Sequence, residues 1–103
     1  MFIYSVTISI DKNLAEEWLK WMKSKHIPDV IKTSCFTDYA IFQVFSANSE
    51  DLATFNIQYH FNKIEDLEKY QREYASDLQK EHKDKYEGKF VAVRTVLKKL
   101  DKE

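Results

Sequence analysis

The side chains best suited to chemistry fall on two stretches of strict alternation. In Thr54–Phe61 the even-numbered residues are polar and the odd-numbered ones are apolar. In Phe2–Ile10 the even-numbered residues are the apolar ones, and the polar residues have odd numbers. Side chains switch faces at every residue of a strand, so each stretch predicts a strand with one buried and one polar face. The two polar faces carry Ser5, Thr7, Ser9, Asn56, Gln58 and His60. Hydroxyls, amides and an imidazole on one surface could bind a small polar ligand.

Arg94 is a further binding candidate. It is one of only two arginines and lies between Val93 and Thr95 inside a predicted strand. A guanidinium in such a place needs a carboxylate, backbone carbonyls or a bound anion. Two alternatives stay open, a structural ion pair and an anchor for an anionic ligand. The predicted ligand-binding set is Ser5, Thr7, Asn56, Gln58, His60 and Arg94.

The three histidines could move protons or bind a metal ion, because imidazole titrates near neutral pH. His26, His60 and His82 stand far apart, and no HxH, HxxE or CxxC spacing occurs. With a single glycine in the chain there is also no loop to cradle phosphates. We therefore expect no metal and no cofactor. His60 and His82 are the candidates for proton transfer, and a satisfied core histidine is the alternative for His82.

The charge balance excludes some partners. The 103 residues contain 16 Lys plus Arg against 17 Asp plus Glu, so no overall field attracts nucleic acid or anionic lipid. RNA-recognition sheets expose aromatic rings on central strands, whereas Phe55 and Tyr59 lie on the predicted buried side. No apolar run approaches the roughly 20 residues of a membrane span. The lone Cys35 cannot form an internal disulfide, which favours a cytoplasmic location.

A helix should follow the first strand and carry Trp18 and Met22 on its apolar stripe. Pro28 disfavours helical geometry at the residue before it, so this helix should stop near Lys25. A loop would then lead to Cys35.

The second half of the chain predicts two more strands around a long helix. Phe36–Ser46 is apolar on both faces, so this strand should be deeply buried or paired with a partner chain. Asn62 would cap a long helix that continues to Lys85 and is about 34 Å long. The preceding strand spans only about 30 Å even at ten residues, so a bend or break is expected near Glu73 to Tyr74. Phe90–Leu97 is the last strand.

The order strand, helix, strand, strand, helix, strand predicts an α+β, ferredoxin-like βαββαβ fold. Right-handed crossovers place both helices on one face of a four-stranded antiparallel sheet, with the first and third strands in the centre. We predict one domain over residues 1–97 and a charged tail over residues 98–103. An uncovered sheet face of this type is often closed by a second copy, so a homodimer is expected, with that face and the second strand as contact surfaces.

Several segments also carry a family resemblance over nearly the whole chain. They are Ile3–Thr7, Glu17–Met22, His26–Pro28, Gln58–Tyr59, Tyr70–His82 and Gly88–Thr95. Together they resemble a small bacterial family catalogued as domain of unknown function family 4286. The resemblance implies a ferredoxin-like fold of the dimeric α/β barrel type, with no assigned activity or catalytic residues. That wider class includes cofactor-free monooxygenases, haem-degrading enzymes and ligand-sensing modules, and fold alone does not fix function.

The predicted function is a homodimeric binding or interaction module with a small-molecule pocket on the open sheet face. One alternative is a cofactor-independent enzyme, monooxygenase- or isomerase-like, in which His60 or His82 moves a proton. Arg94 with Gln58 would then hold an anionic or carbonyl substrate. Another alternative is a purely structural homodimer. An enzyme should enclose a pocket where a histidine and Arg94 converge, whereas a structural module should fill that space with side chains.

Overall fold

The computed structural model describes residues 1–47 and 49–102 as a four-stranded antiparallel sheet with helices on one face. The strands are β1 (Phe2–Asp11), β2 (Asp38–Gln43), β3 (Leu52–Phe61) and β4 (Phe90–Lys98). The helices are α1 (Ala15–Trp21), α2 (Ile27–Ile31), α3 (Ile64–Glu73) and α4 (Ala75–Lys85). The sheet order is β2-β3-β1-β4, which puts the first and third strands in the centre. The predicted ferredoxin-like α+β fold is confirmed.

The predicted sidedness of β3 is also confirmed. Phe55, Ile57, Tyr59 and Phe61 are at most 7% exposed and belong to the core beneath the helices. The even-numbered residues of β3 lie on the other side of the sheet, together with the odd-numbered residues of β1 that pair with them. We call this side the open face. It carries Ser5, Thr7, Ser9, Thr54, Asn56, Gln58 and His60. The alternation of apolar and polar side chains therefore decides which face the helices cover.

The core is built largely from aromatic rings. Phe36 contacts Tyr59 and Tyr70 at ring-centroid distances of 5.2 and 4.9 Å, and Trp18 packs on Phe55 at 5.1 Å. Fully burying one large apolar side chain contributes about 1.5–3 kcal/mol. These contacts tie the helices to the sheet.

The predicted end of the first helix near Lys25 is wrong. After α1 the residues Met22–His26 form one π-helical turn, in which the Ile27 N–H donates to the Met22 carbonyl. The chain then continues as α2, with Pro28 in its first turn, where a missing N–H costs little. The wider turn accommodates the proline, and burial of Ile27 offsets its disfavoured helical backbone. His26 is thereby held inside a helical segment.

The second strand is shorter and less buried than predicted. It spans six residues, Asp38–Gln43, instead of Phe36–Ser46, because Phe36 packs into the core before the strand begins. As an edge strand it pairs only with β3. Tyr39 and Phe42 are 42% and 50% exposed, so the deeply buried alternative is wrong. Pairing with a partner chain stays a prediction.

The predicted break in the long helix is confirmed. The α3 helix ends at Glu73 and α4 begins at Ala75, and Tyr74 between them has φ −127° and ψ −34°. The helical stretch starts at Ile64 with Lys63 at its N-cap, one residue later than a cap at Asn62 predicts, because extended backbone at Lys63 turns the chain from the sheet onto the helix layer. The break lets the helices follow a sheet shorter than their combined length.

Candidate ligand-binding site

The predicted residues of the open face lie together, but most of their polar groups bond to one another. Asn56 Nδ2 donates to Ser5 Oγ at 2.8 Å and to Thr7 Oγ1 at 3.0 Å. The hydroxyls of Ser9 and Thr54 bond to each other at 2.8 Å. Since these groups are already paired, this row offers a ligand less than the sequence suggested.

The other two predicted residues of this face lie toward one end of it. Gln58 is half-buried and lies opposite Ser5 on β1 and Ala40 on β2. His60 Nδ1 contacts Asp38 Oδ1 at 2.7 Å, beside the sheet edge. The Asp38 carboxylate therefore engages Nδ1 and leaves Nε2 as the ring nitrogen that a catalytic role for His60 would use.

Arg94 lies on the opposite side of the sheet from the other five predicted residues. It pairs with Val6 across β1 and β4, and directly opposed residues share a face. Val6 faces the helices, whereas Gln58 pairs with Ser5 on the open face. The predicted cooperation of Arg94 with Gln58 around one substrate is therefore wrong within a single chain.

Arg94 instead borders a cavity of about 30 Å³ between the sheet and the helices, here called the helix-side cavity. Its volume is sufficient for roughly two water molecules. The lining combines polar and apolar side chains from β1, β3, β4 and the helices. The polar ones are Tyr4, His26, Tyr59, Tyr70, Gln79, His82 and Arg94, and the apolar ones are Val6, Ile8, Met22, Val30 and Ile57.

His82 is held in the wall of this cavity by a buried hydrogen bond. The Trp18 indole N–H donates to its Nε2 at 2.9 Å, and the residue is 5% exposed. Burial lowers the pKa of His82 to about 4, and the nearby His26 and Arg94 charges act in the same direction. The imidazole is thus neutral near pH 7. Because Nε2 accepts, the proton of the neutral ring resides on Nδ1.

His26 is a site residue that the sequence did not reveal, since it was placed at a helix end. Its ring lies 5.7 Å from that of His82. Burial lowers the pKa of His26 to about 4, with a smaller opposing effect of Asp29 and smaller lowering effects of Arg94 and Lys25. Within residues 1–47 and 49–102 its buried Nδ1 has no hydrogen-bond partner. An unpaired buried nitrogen is costly, and a ligand could satisfy it.

Tyr4 and Arg94 complete the polar side of the cavity. Burial raises the pKa of Tyr4, and the charge and hydrogen bonding of Arg94, together with Gln79, partly offset that rise. In the described part of the chain no carboxylate lies within 4.0 Å of the Arg94 guanidinium. The structural ion pair considered for Arg94 is therefore not present there. Neutral donors and one cation converge on one space, which suits an oxygen of an anionic or carbonyl ligand.

Residues 1–47 and 49–102 contain no group of three or more His, Cys, Asp or Glu side chains placed to hold a metal ion. None of their helices is both long and apolar enough to cross a membrane.

Nearly the whole chain matches a known protein family. A family model described as Domain of unknown function (DUF4286) matches residues 1–100. The chain belongs to this family. The match agrees with the resemblance seen in the sequence, and DUF4286 membership assigns no reaction. A search of curated proteins finds no match.

Solved structures with similar folds cover nearly the entire chain. A dimeric ferredoxin-like protein from an uncultured marine organism is 15% identical, covers 100% of this chain and 98% of its own, and has a TM-score of 0.72. A protein from Bacillus halodurans described as an ethyl tert-butyl ether d (EthD) family protein is 10% identical, with coverage of 97% and 100% and a TM-score of 0.64. A Bacillus cereus protein described as a candidate antibiotic biosynthesis monooxygenase is 11% identical, with coverage of 99% and 97% and a TM-score of 0.59. At these identities the likeness shows the fold of this DUF4286 chain.

Proposed function

We propose that the protein is a homodimeric binding module that takes a small molecule into the helix-side cavity. The observation that carries this proposal is the convergence of Arg94, Tyr4, His26 and His82 on a space that their own side chains leave open. Leaving a buried polar group such as His26 Nδ1 unpaired costs about 1–3 kcal/mol, so a ligand that pairs with it gains free energy on binding. The ligand site thus moves from the open face, where the sequence suggested it, to the other side of the sheet.

The open face suits a second copy of the chain. The polar side chains at its centre already form hydrogen bonds with one another. On its β4 side it exposes apolar residues, since Val91 is 64% exposed and Val93 is 59% exposed. Phe42 on β2 extends the apolar rim on the other side. Two neighbours of this fold are described as dimeric ferredoxin-like proteins, which supports the same arrangement here. A stable contact of this kind should bury well over about 1,000 Å².

Ligand binding is tested by thermal-shift screening against a metabolite library with the wild-type protein, Arg94→Ala and Arg72→Ala. Arg72 is the other arginine, exposed and paired with Glu73, and provides the matched control. A ligand at 100 times its Kd stabilises the native state by about 2.7 kcal/mol. We expect compounds that stabilise wild type and Arg72→Ala but act weakly on Arg94→Ala. Equal stabilisation of Arg94→Ala would show that the ligand binds outside the helix-side cavity. If no compound stabilises the wild-type protein, the proposed binding function is wrong.

Dimerisation is tested by sedimentation equilibrium of wild type, Val93→Asp and Ser76→Asp. A carboxylate at Val93 would be buried in the proposed contact, whereas Ser76 lies on the exposed side of α4. We expect dimers for wild type and Ser76→Asp, and a monomer for Val93→Asp. A monomeric wild type, or a dimeric Val93→Asp variant, would reject the open face as the contact surface.

A second candidate function is a cofactor-independent enzyme, favoured by the same meeting of histidines with Arg94 in a cavity. His82 is then the proton-handling candidate, because His60 lies on the opposite face. In a monooxygenase-like reaction a phenol and dioxygen give a quinone and water, and the phenol supplies the electrons. Oxygen uptake with a panel of phenols, lost in Arg94→Ala and retained in Arg72→Ala, would support this candidate. Binding without any oxygen uptake would reject the monooxygenase-like form of it.

A further inference from the structure

We infer that the helix-side cavity selects small carboxylic acids with a short apolar tail, and that Trp18 sets the histidine tautomer on which this selection depends. The selection rests on the proposed function, because both concern the same cavity. It goes further because it names the class of ligand and because it assigns to Trp18 an effect on the ligand that is transmitted by His82.

The hydrogen-bond donors that border the cavity indicate the charge of the ligand. Arg94 is an exposed residue whose guanidinium borders the cavity, and the side chains of Gln79 and Tyr4 lie beside it. A guanidinium fork matches the two oxygens of a carboxylate in geometry and charge. A neutral ligand would leave the guanidinium without a counter-charge, and a cationic ligand would be repelled by it. The polar side of the cavity therefore favours a carboxylate.

The tail of the ligand is read from the apolar lining. Ile8, Met22, Val30 and Ile57 are buried side chains that border the same cavity. Inorganic phosphate would place polar oxygens against these residues, which is unfavourable. Burying one further methylene improves affinity about fourfold. With the carboxylate held at the exposed Arg94, a volume of about 30 Å³, or roughly two waters, takes a tail of about two or three carbons before side chains must move.

Trp18 acts on the ligand through His82. An indole N–H can only donate, so the 2.9 Å bond from Trp18 makes Nε2 of His82 an acceptor and leaves the proton on Nδ1. Nδ1 is then the one ring nitrogen free for a ligand, and it presents an N–H to an oxygen. In the other tautomer the same nitrogen would present a lone pair and repel a carboxylate. Trp18 is thus a positioning residue.

The ligand class is tested by NMR titration of the protein with acetate, butyrate and hexanoate, with butyramide as the neutral match of butyrate, and with inorganic phosphate. We expect butyrate to bind at least tenfold more tightly than butyramide and phosphate in wild type and in Arg72→Ala. In Arg94→Ala the preference over the amide should fall below about twofold. Affinity should rise from acetate to butyrate and level off or fall at hexanoate.

The failures of the two proposals can be told apart. If butyramide or phosphate binds as tightly as butyrate, or if no carboxylate binds while neutral library compounds still require Arg94, the carboxylate class is overturned and the binding module survives. If no probe and no library compound binds, both proposals fail.

The role of Trp18 is tested by a long-range proton–nitrogen correlation spectrum of the imidazoles at pH 7. Wild-type His82 should carry its proton on Nδ1, and a proton on Nε2 would overturn the assignment without any variant. Trp18→Phe should lose this preference and weaken butyrate binding at least threefold. Trp21→Phe is the control, because its ring also packs on His82, at 5.8 Å, while the hydrogen bond comes from Trp18. An equal effect of both variants would reduce Trp18 to a packing role.

Discussion

The two faces of the sheet contain similar kinds of polar side chains and use them differently. On the open face Asn56 bonds to Ser5 and Thr7, and His60 bonds to Asp38. On the helix side His26 Nδ1 is unpaired within the described residues, and Arg94 borders a cavity. Polar groups that satisfy one another support the fold, whereas unpaired groups beside a space can bind. The number of polar residues on a surface is therefore a poorer guide to a site than their pairing.

The largest expected difference between the faces is in packing. Phe61→Ala removes a 1% exposed ring from the helix side and should cost about 3–5 kcal/mol in the free energy of unfolding. Phe42→Ala removes a half-exposed ring from the open face and should cost less than about 1 kcal/mol in a dissociated chain. Urea unfolding of both variants measures this. Equal losses would contradict the assignment of the core to one face.

The pH dependence of the free energy of unfolding should report the burial of His26 on the helix side of the sheet. Its folded pKa of about 4 lies below the ordinary value of 6.5, so between these values the unfolded chain binds more protons. Stability should therefore be complete above about pH 6.5 and fall as the pH drops toward 4. Allowing for the partly accessible ring, the loss should be roughly 2 kcal/mol.

This effect is measured by urea unfolding at pH 7, 5.5 and 4.5 for wild type and His26→Gln. The variant should show a flatter dependence on pH, with His82 responsible for what remains. An unchanged slope would mean that His26 is accessible enough to keep its ordinary pKa.

On the open face the corresponding variant is Asn56→Ala. It removes the donor to Ser5 and Thr7 and should cost about 1–2 kcal/mol, while ligand binding in the helix-side cavity is unchanged. Ser76→Ala on the exposed side of α4 is the control and should stay within about 0.5 kcal/mol. Loss of ligand binding in Asn56→Ala would show that the two faces do not act separately.

The smallest effect is expected at the sheet edge. His60→Ala removes the partner of Asp38, whose side chain is 66% exposed, and should change stability by less than about 1 kcal/mol. The change should shrink further at high salt, because exposed charges are screened. Chemical denaturation at low and high ionic strength checks this. A larger, salt-independent loss would indicate that the open face is covered, as in the proposed dimer.

Much of the fold could be predicted because its signals are local. Alternation in β1 and β3 showed which side the helices cover, and the mismatch between helix and strand lengths located the break at Tyr74. The extent of the first helix could not be predicted in this way. Pro28 is a local signal for a helix end, but tertiary burial of Ile27 and Val30 and one π-helical turn outweigh it.

By itself the sequence determined the order of the elements and the sidedness of the central strands, and it singled out Arg94 as one of two arginines, set inside a strand. Only the tertiary structure decided on which face of the sheet Arg94 lies. Residues Phe90–Val93 are apolar on both faces, so their pattern does not say which way Arg94 points. Its pairing with Val6 does, and that register joins residues nearly ninety positions apart. The meeting of Arg94 with His26 and His82 likewise depends on long-range packing, which no local pattern encodes.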